Sequence, residues 1–210
     1  MVKVKNEISN TTGATKGLTA DEIIGLIFVF FVAGYETTAA TITSALYLLM
    51  SNRQYIDKVR EEADRIVISD THSVSEESMP WTCAVINEVM RMASPVAMHL
   101  RVADFEGFSE LPLNGITFLD KCNVEIPVDL LHMNPDYWQN PTQFYPERFI
   151  ENPELTKEWF FMPFGAGPRN CVGMRLALLE IRLGLLRILQ NFDVEYVVSK
   201  LKFMVYTLIF

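Results

Sequence analysis

The chain has 210 residues, half of them hydrophobic and 21% charged, which fits a folded core and excludes a disordered or low-complexity polymer. Its 26 acidic and 18 basic residues leave a net charge of −8, and no Lys/Arg run supplies the basic face that nucleic-acid binding needs. Three cysteines, Cys83, Cys122 and Cys171, form no Cys-x-x-Cys pair, so neither a disulfide framework nor a structural zinc site is expected, and their usage suits a reducing compartment.

Residues 1–18 are polar and lack the apolar core of a signal peptide. Thr19-Ala20-Asp21-Glu22 has the Thr-x-x-Glu form of a capping box, which predicts a long helix ending near Ser51-Asn52. Its most apolar stretch, residues 23–33, is too short to span a bilayer, which takes about 20 residues. It is too apolar all round for a surface, so a buried helix is expected. Residues 53–67 place Ile56, Val59, Ala63 and Ile66 at helical spacing, an amphipathic helix with a charged outer face. Residues 69–78 read as a polar loop. Residues 80–92 read as a third helix, with Pro80 in its first turn. Residues 113–128 are rich in apolar and β-branched side chains broken by Asn114-Gly115, the pattern of a short hairpin. Five prolines in residues 132–163 predict an irregular segment laid over the surface. A turn-rich loop over 164–173 precedes an apolar helix over 176–189. Residues 203–210 read as a last strand, with an aggregation hazard if left uncovered.

The chemistry concentrates in the loop Phe164-Gly165-Ala166-Gly167-Pro168-Arg169-Asn170-Cys171-Val172-Gly173. A free cysteine is most often a small core residue. This one stands at the end of a Gly/Pro loop immediately before a helix, where exposed amides favour a thiolate. Glycines there let the backbone approach a flat ligand closely. The loop resembles the haem-ligand loop of the cytochrome P450 family, Phe-x-x-Gly-x-Arg-x-Cys-x-Gly, with every specified position filled. The resemblance implies that Cys171 is the axial thiolate of haem iron, that Arg169 pairs with a haem propionate, and that Phe164 packs beside the thiolate. Gly165, Gly167 and Gly173 would shape the cradle.

Two further segments carry the same resemblance. Glu88 and Arg91 stand at i and i+3 of the third helix, a spacing that by itself marks an ordinary ion pair. They are similar to the family's Glu-x-x-Arg, and Pro146-Glu147-Arg148-Phe149 matches its partner segment. The resemblance implies a buried structural network of Glu88, Arg91 and Arg148. Ala33-Gly34-Tyr35-Glu36-Thr37-Thr38 in the first helix resembles the family's oxygen-activation motif. Taken alone it reads as a Thr/Ala packing face in which a threonine can bond the carbonyl at i−4. As that motif, Thr37 would hydrogen-bond dioxygen, Glu36 would belong to the proton relay, and Ala33 and Gly34 would leave room for the ligand.

Arg101 and His99 are both candidates for a second propionate contact, with Arg101 favoured. His132-Met133-Asn134-Pro135-Asp136-Tyr137-Trp138 resembles a family segment with two changes. Lys121-Cys122 stands where the family usually has glycine, which predicts a distorted turn. Arg175 and Arg182, seven apart on the last helix, would face a reductase or simply form a solvated stripe.

The resemblance is closest to animal microsomal members that oxidise drugs and steroids. It implies a mainly α fold with small β hairpins, corresponding to the C-terminal part of the cytochrome P450 fold over residues 19–193, followed by a divergent tail, 194–210. The implied function is a haem-thiolate monooxygenase inserting one atom of O2 into a small apolar substrate. Haem b would be its cofactor, and its electrons would come from NADPH through a reductase. The intact Glu36-Thr37 pair favours this over isomerase members. The implied location is the cytoplasmic face of the endoplasmic reticulum membrane, with membrane contact only through parts absent here and no anchor or signal in this chain. Family members are more than twice this long, so the alternative is a truncated, non-catalytic fragment that binds haem weakly or not at all.

Overall fold

The computed structural model describes residues 17–66, 75–105 and 109–195. The expected strand over 203–210, and the parts of the loop and helix expectations that fall on 67–74, lie outside them.

Helix α1, Ala20–Ser51, begins at the capping box. The Thr19 hydroxyl accepts from the Glu22 amide, and the Glu22 carboxylate accepts from the Thr19 amide. Helix α2, Gln54–Arg65, turns Ile56, Val59 and Ala63 inward, with Ile66 buried just beyond its end. Helix α3, Pro80–Met92, has no side-chain cap on its own Met79. Its first amides are met from α2 instead. The Glu62 carboxylate accepts from the Trp81 and Thr82 amides at 2.7 and 2.8 Å and from the Thr82 hydroxyl. Helix α6, Met174–Asn191, completes the core. Ala45 and Leu49, Ile56 and Val59, Val85 and Val89, and Leu185 and Leu189 pack together as one buried cluster from these four helices. At Gly184 a Cβ would stand 3.0 Å from Ile42 Cδ1, so the glycine lets α6 lie close against α1.

Strands β1, Met98–Val102, and β4, Asn123–Pro127, pair antiparallel. Strands β2, Glu110–Leu113, and β3, Ile116–Leu119, form the hairpin read from Asn114-Gly115. Both turn residues take positive φ, as a tight two-residue hairpin turn requires. The strand reading over 113–128 therefore splits, because its second half pairs with an upstream strand. At the turn where the sequence has Lys121-Cys122 the backbone is left-handed. Lys121 adopts φ 59°, and its amide and that of Cys122 donate to Ala103 and Leu119.

Two expectations are corrected. Residues 23–35 are exposed, not buried: Phe28, Phe31 and Tyr35 face outward in a helix whose second half enters the core at Thr41, Ala45 and Leu49. Apolarity demands cover, and no described residue supplies it there. By length and composition α1 is also the one described helix able to cross a membrane, because the apolar stretch of 11 residues sits inside a helix of 32. The segment 132–163 is likewise more than a surface strap. Short helices α4, Val128–His132, and α5, Glu147–Glu151, and a 3-10 turn over Pro153–Lys157 fold it around a second core of Ala84, Trp138, Phe149 and Phe161.

Candidate functional site

The Glu88 carboxylate is wholly buried and accepts from Arg91 Nε at 2.8 Å and Nη2 at 2.9 Å. Arg148 Nε reaches the same two oxygens at 3.1 and 3.2 Å, and the Tyr145 amide adds a fourth donor. One carboxylate thus faces two guanidiniums. Main-chain carbonyls offset the surplus positive charge. Arg91 donates to those of His132 and Pro141, both at 2.7 Å, and Arg148 Nη1 to that of Gln139 at 3.0 Å. Trp138 lies against both cations, with Arg91 5.2 Å from its ring centre. Such a cluster binds the strap to α3, and loss of one member strands charge in the interior.

The cysteine loop is held by its own backbone and by β1. The Cys171 amide donates to the Phe164 carbonyl at 2.9 Å, closing the loop. Gly165 and Gly167 take φ 72° and 78°, a conformation that favours glycine. Strand alternation puts His99 and Arg101 on one side of β1, facing the loop. His99 Nε2 stands 3.1 Å from the Met162 carbonyl, and Arg101 Nη2 donates to the Arg169 carbonyl at 3.3 Å. Arg101 and Arg169 are therefore neighbours, whereas His99 is engaged at the loop's start. Cys171 itself is exposed, three residues before α6.

The helical motif residues lie on the half of α1 that projects from the core. The Thr37 hydroxyl donates to the Ala33 carbonyl at 2.7 Å, the i−4 bond anticipated from its position. Glu36 is exposed, and a Cβ on Gly34 would meet nothing within 4 Å. The neighbouring Thr38 hydroxyl is buried without a partner. Arg175 is exposed, but Arg182 is largely covered and pairs with Glu76, so the two do not form a free stripe.

His132 is the residue that sequence reasoning passed over. Its ring is buried, stacks on Phe161, and accepts from the Met162 amide at 3.0 Å. Burial pushes its pKa down to about 4, partly offset by the Met90 carbonyl, with Arg91 adding to the depression. It is neutral at physiological pH. The resemblance of its segment to the family was the available signal, but nothing in the spacing tied it to the cysteine loop.

The family model for cytochrome P450 matches residues 2–205. The chain belongs to the cytochrome P450 family. Cytochrome P450 3A27 of Oncorhynchus mykiss is 40% identical over 182 residues, 85% of this chain and 34% of the relative. Cytochrome P450 3A31 of Mesocricetus auratus is 36% identical, over 90% of this chain and 38% of its own length. Thromboxane-A synthase of Macaca fascicularis is 37% identical, over 85% and 33%. The chain spans about a third of the length of these cytochrome P450 relatives.

The loop suits the family's haem. Among the described residues no group of three or more His, Cys, Asp or Glu gathers as a metal site. The exposed Cys171 thiol would be the group that holds a haem iron at this loop. A Cβ on Gly173 would stand 4.0 Å from Cys171 Sγ, beside the sulfur, and one on Gly167 would meet nothing within 4 Å. The Arg101 guanidinium reaches the main chain of Arg169, so a basic side chain of β1 stands at the loop.

Proposed function

We propose that this chain carries part of a haem-thiolate monooxygenase site, with residues for both faces of the haem, acting on a small apolar substrate with electrons passed from NADPH by a reductase. The observation that carries the reading is the exposed Cys171 thiol in its glycine-turned loop at the head of α6. Haem b, when bound, supplies the redox iron at which O2 is activated, and an axial thiolate favours O–O cleavage. The protein's own part is to hold and to move protons. Cys171, exposed just before α6, would be the ligand to the iron. Arg169 and Arg101 hold the propionates, Phe164 packs beside the sulfur, and Gly165, Gly167 and Gly173 admit the ring. Glu88, Arg91 and Arg148 fix the proximal side.

On the opposite side Thr37 retains acceptor capacity after donating to Ala33, and exposed Glu36 can exchange protons with water. They form the proton route, with Ala33 and Gly34 leaving room. The exposed apolar side chains of α1 supply the wall for an apolar substrate. Arg175 is the remaining basic candidate for reductase docking. Location on the cytoplasmic face of the endoplasmic reticulum follows from the same resemblance.

The test is a carbon-monoxide difference spectrum of the reduced chain, expressed with haem supplied. The expected result is a strongly red-shifted Soret band that Cys171→Ser abolishes. A mutant that keeps the band removes Cys171 from the iron. Thr37→Ala should keep haem and lower the product formed per O2 consumed. The exposed first half of α1 favours a second reading, a non-catalytic fragment that binds haem weakly or not at all. Reductase-dependent product formation separates the two.

A further inference from the structure

Met162, two residues before Phe164, is gripped on both sides of its main chain. Its amide donates to His132 Nε2 at 3.0 Å, and its carbonyl accepts from His99 Nε2 at 3.1 Å and from the Gly165 amide at 3.0 Å. The two rings come from separate elements, α4 and β1. Their roles are opposite. His132 Nε2 meets an N–H and must be unprotonated, so the neutral ring carries its proton on Nδ1, which is buried without a hydrogen-bond partner among the described residues. His99 Nε2 meets a carbonyl and must carry the proton. The His132 ring is buried and packed. His132 stacks on Phe161 with ring centres 5.3 Å apart, and its own carbonyl is held by Arg91. Beside His99 the chain folds back at Gly165, where a Cβ would stand 3.5 Å from Nε2.

We propose that His132 and His99 are a pair of positioning residues that clamp the Met162 peptide in fixed, opposite tautomers and thereby set the attitude of the Cys171 loop. The inference rests on the reading of Cys171 as the haem ligand. The path is short and continuous. The Glu88–Arg91 pair fixes the His132 backbone, the His132 ring fixes Met162, Met162 fixes the turn at Gly165, and Phe164 fixes the Cys171 amide. An acceptor at one ring and a donor at the other are what the clamp requires. A charge at either is not.

The experiment uses the full chain with haem supplied. Nitrogen-15 shifts of the imidazoles should show Nδ1–H for His132 and Nε2–H for His99. Amide exchange at Gly165 and Cys171 should quicken about tenfold in His99→Leu, the loss expected for one partly buried hydrogen bond in a local opening. Its thiolate-type Soret fraction should fall in step. His99→Gln, which restores a donor, should return both readings to within about twofold of the unmutated chain. On the acceptor side His132→Leu should likewise quicken exchange, and His132→Gln, which restores an acceptor, should return it to within about twofold. Because His99 is only half-buried, its pair decides the matter if a His132 variant does not fold. Equal exchange in the Leu and Gln variants, or the reverse tautomers, would overturn the clamp. An unmutated chain without a thiolate-type band would instead overturn the ligand reading, and exchange and tautomers would still decide the clamp.

Discussion

Arg91 Nη1 donates to the main-chain carbonyl of His132 across 2.7 Å, so the buried ion cluster of α3 is joined directly to the residue whose ring reaches the cysteine loop. The cluster is therefore a joint between two structural layers as well as a set of charges.

That joint predicts unequal costs. Glu88→Gln leaves two buried guanidiniums facing a neutral amide, and Arg91→Met leaves one carboxylate with Arg148 still in place. Breaking such a pair costs about 3–5 kcal/mol. Glu88→Gln should lie at the upper end and Arg91→Met at the lower. Urea midpoints at constant slope are the check, and equal midpoints would show that the carbonyls, not Glu88, carry the balance.

Acid should weaken the fold through His132. The unfolded chain takes up a proton near the ordinary histidine value of 6.5, whereas the folded ring waits until about 4. Between the two the unfolded state holds more protons, so stability is full above pH 6.5 and falls as pH drops toward 4. The bound is roughly 3 kcal/mol. Arg91 and His99 are the charged and titratable groups that bear on the ring. Denaturation midpoints measured from pH 7 to 4.5 should flatten in His132→Gln relative to the unmutated chain. Parallel curves would refute the assignment.

The cysteines should separate by reactivity. Cys171 is exposed, whereas burial raises the Cys83 thiol to about 11 from 9.0, leaving about a hundredfold less thiolate. Iodoacetamide should label Cys171 early and Cys83 last, read by peptide mass. Haem added first should slow Cys171 and spare the rates of the other two. An unchanged Cys171 rate would argue against ligation.

Lys121 holds a left-handed backbone, which costs a side-chain-bearing residue about 1 kcal/mol. Its ion pair with Asp104 is exposed on both sides and contributes little. Lys121→Gly should therefore raise thermal stability slightly, by up to about 1 kcal/mol. A loss would assign the turn's stability to the ion pair.

Local signals are legible in the sequence. The Thr19 and Glu22 pair marks the start of α1, the spacing of Ile56, Val59 and Ala63 marks the inner face of α2, and Asn114-Gly115 marks the hairpin. Each rests on neighbours within four residues. What escaped depends on distant partners. Periodicity says that residues 23–35 want cover but not what would cover them. Pro135 to Pro163 looks irregular because its order comes from Trp138, Phe149 and Phe161 meeting one another. At the site, the i, i+3 spacing of Glu88 and Arg91 is visible, while Arg148 enters only through the resemblance. The contacts from His132 and His99 to Met162 span 30 and 63 residues, beyond any local pattern.

The capping of α3 by Glu62 makes two helices share one terminus. Pro80 marks where α3 starts, but the amides that follow it find their acceptor on α2, at the Glu62 carboxylate. Glu88 and Arg91 lie about two turns further along the same helix. A carboxylate of α2 thus anchors the end of the helix from which the ion cluster projects, so a change at Glu62 would reach that cluster through the helix that carries it.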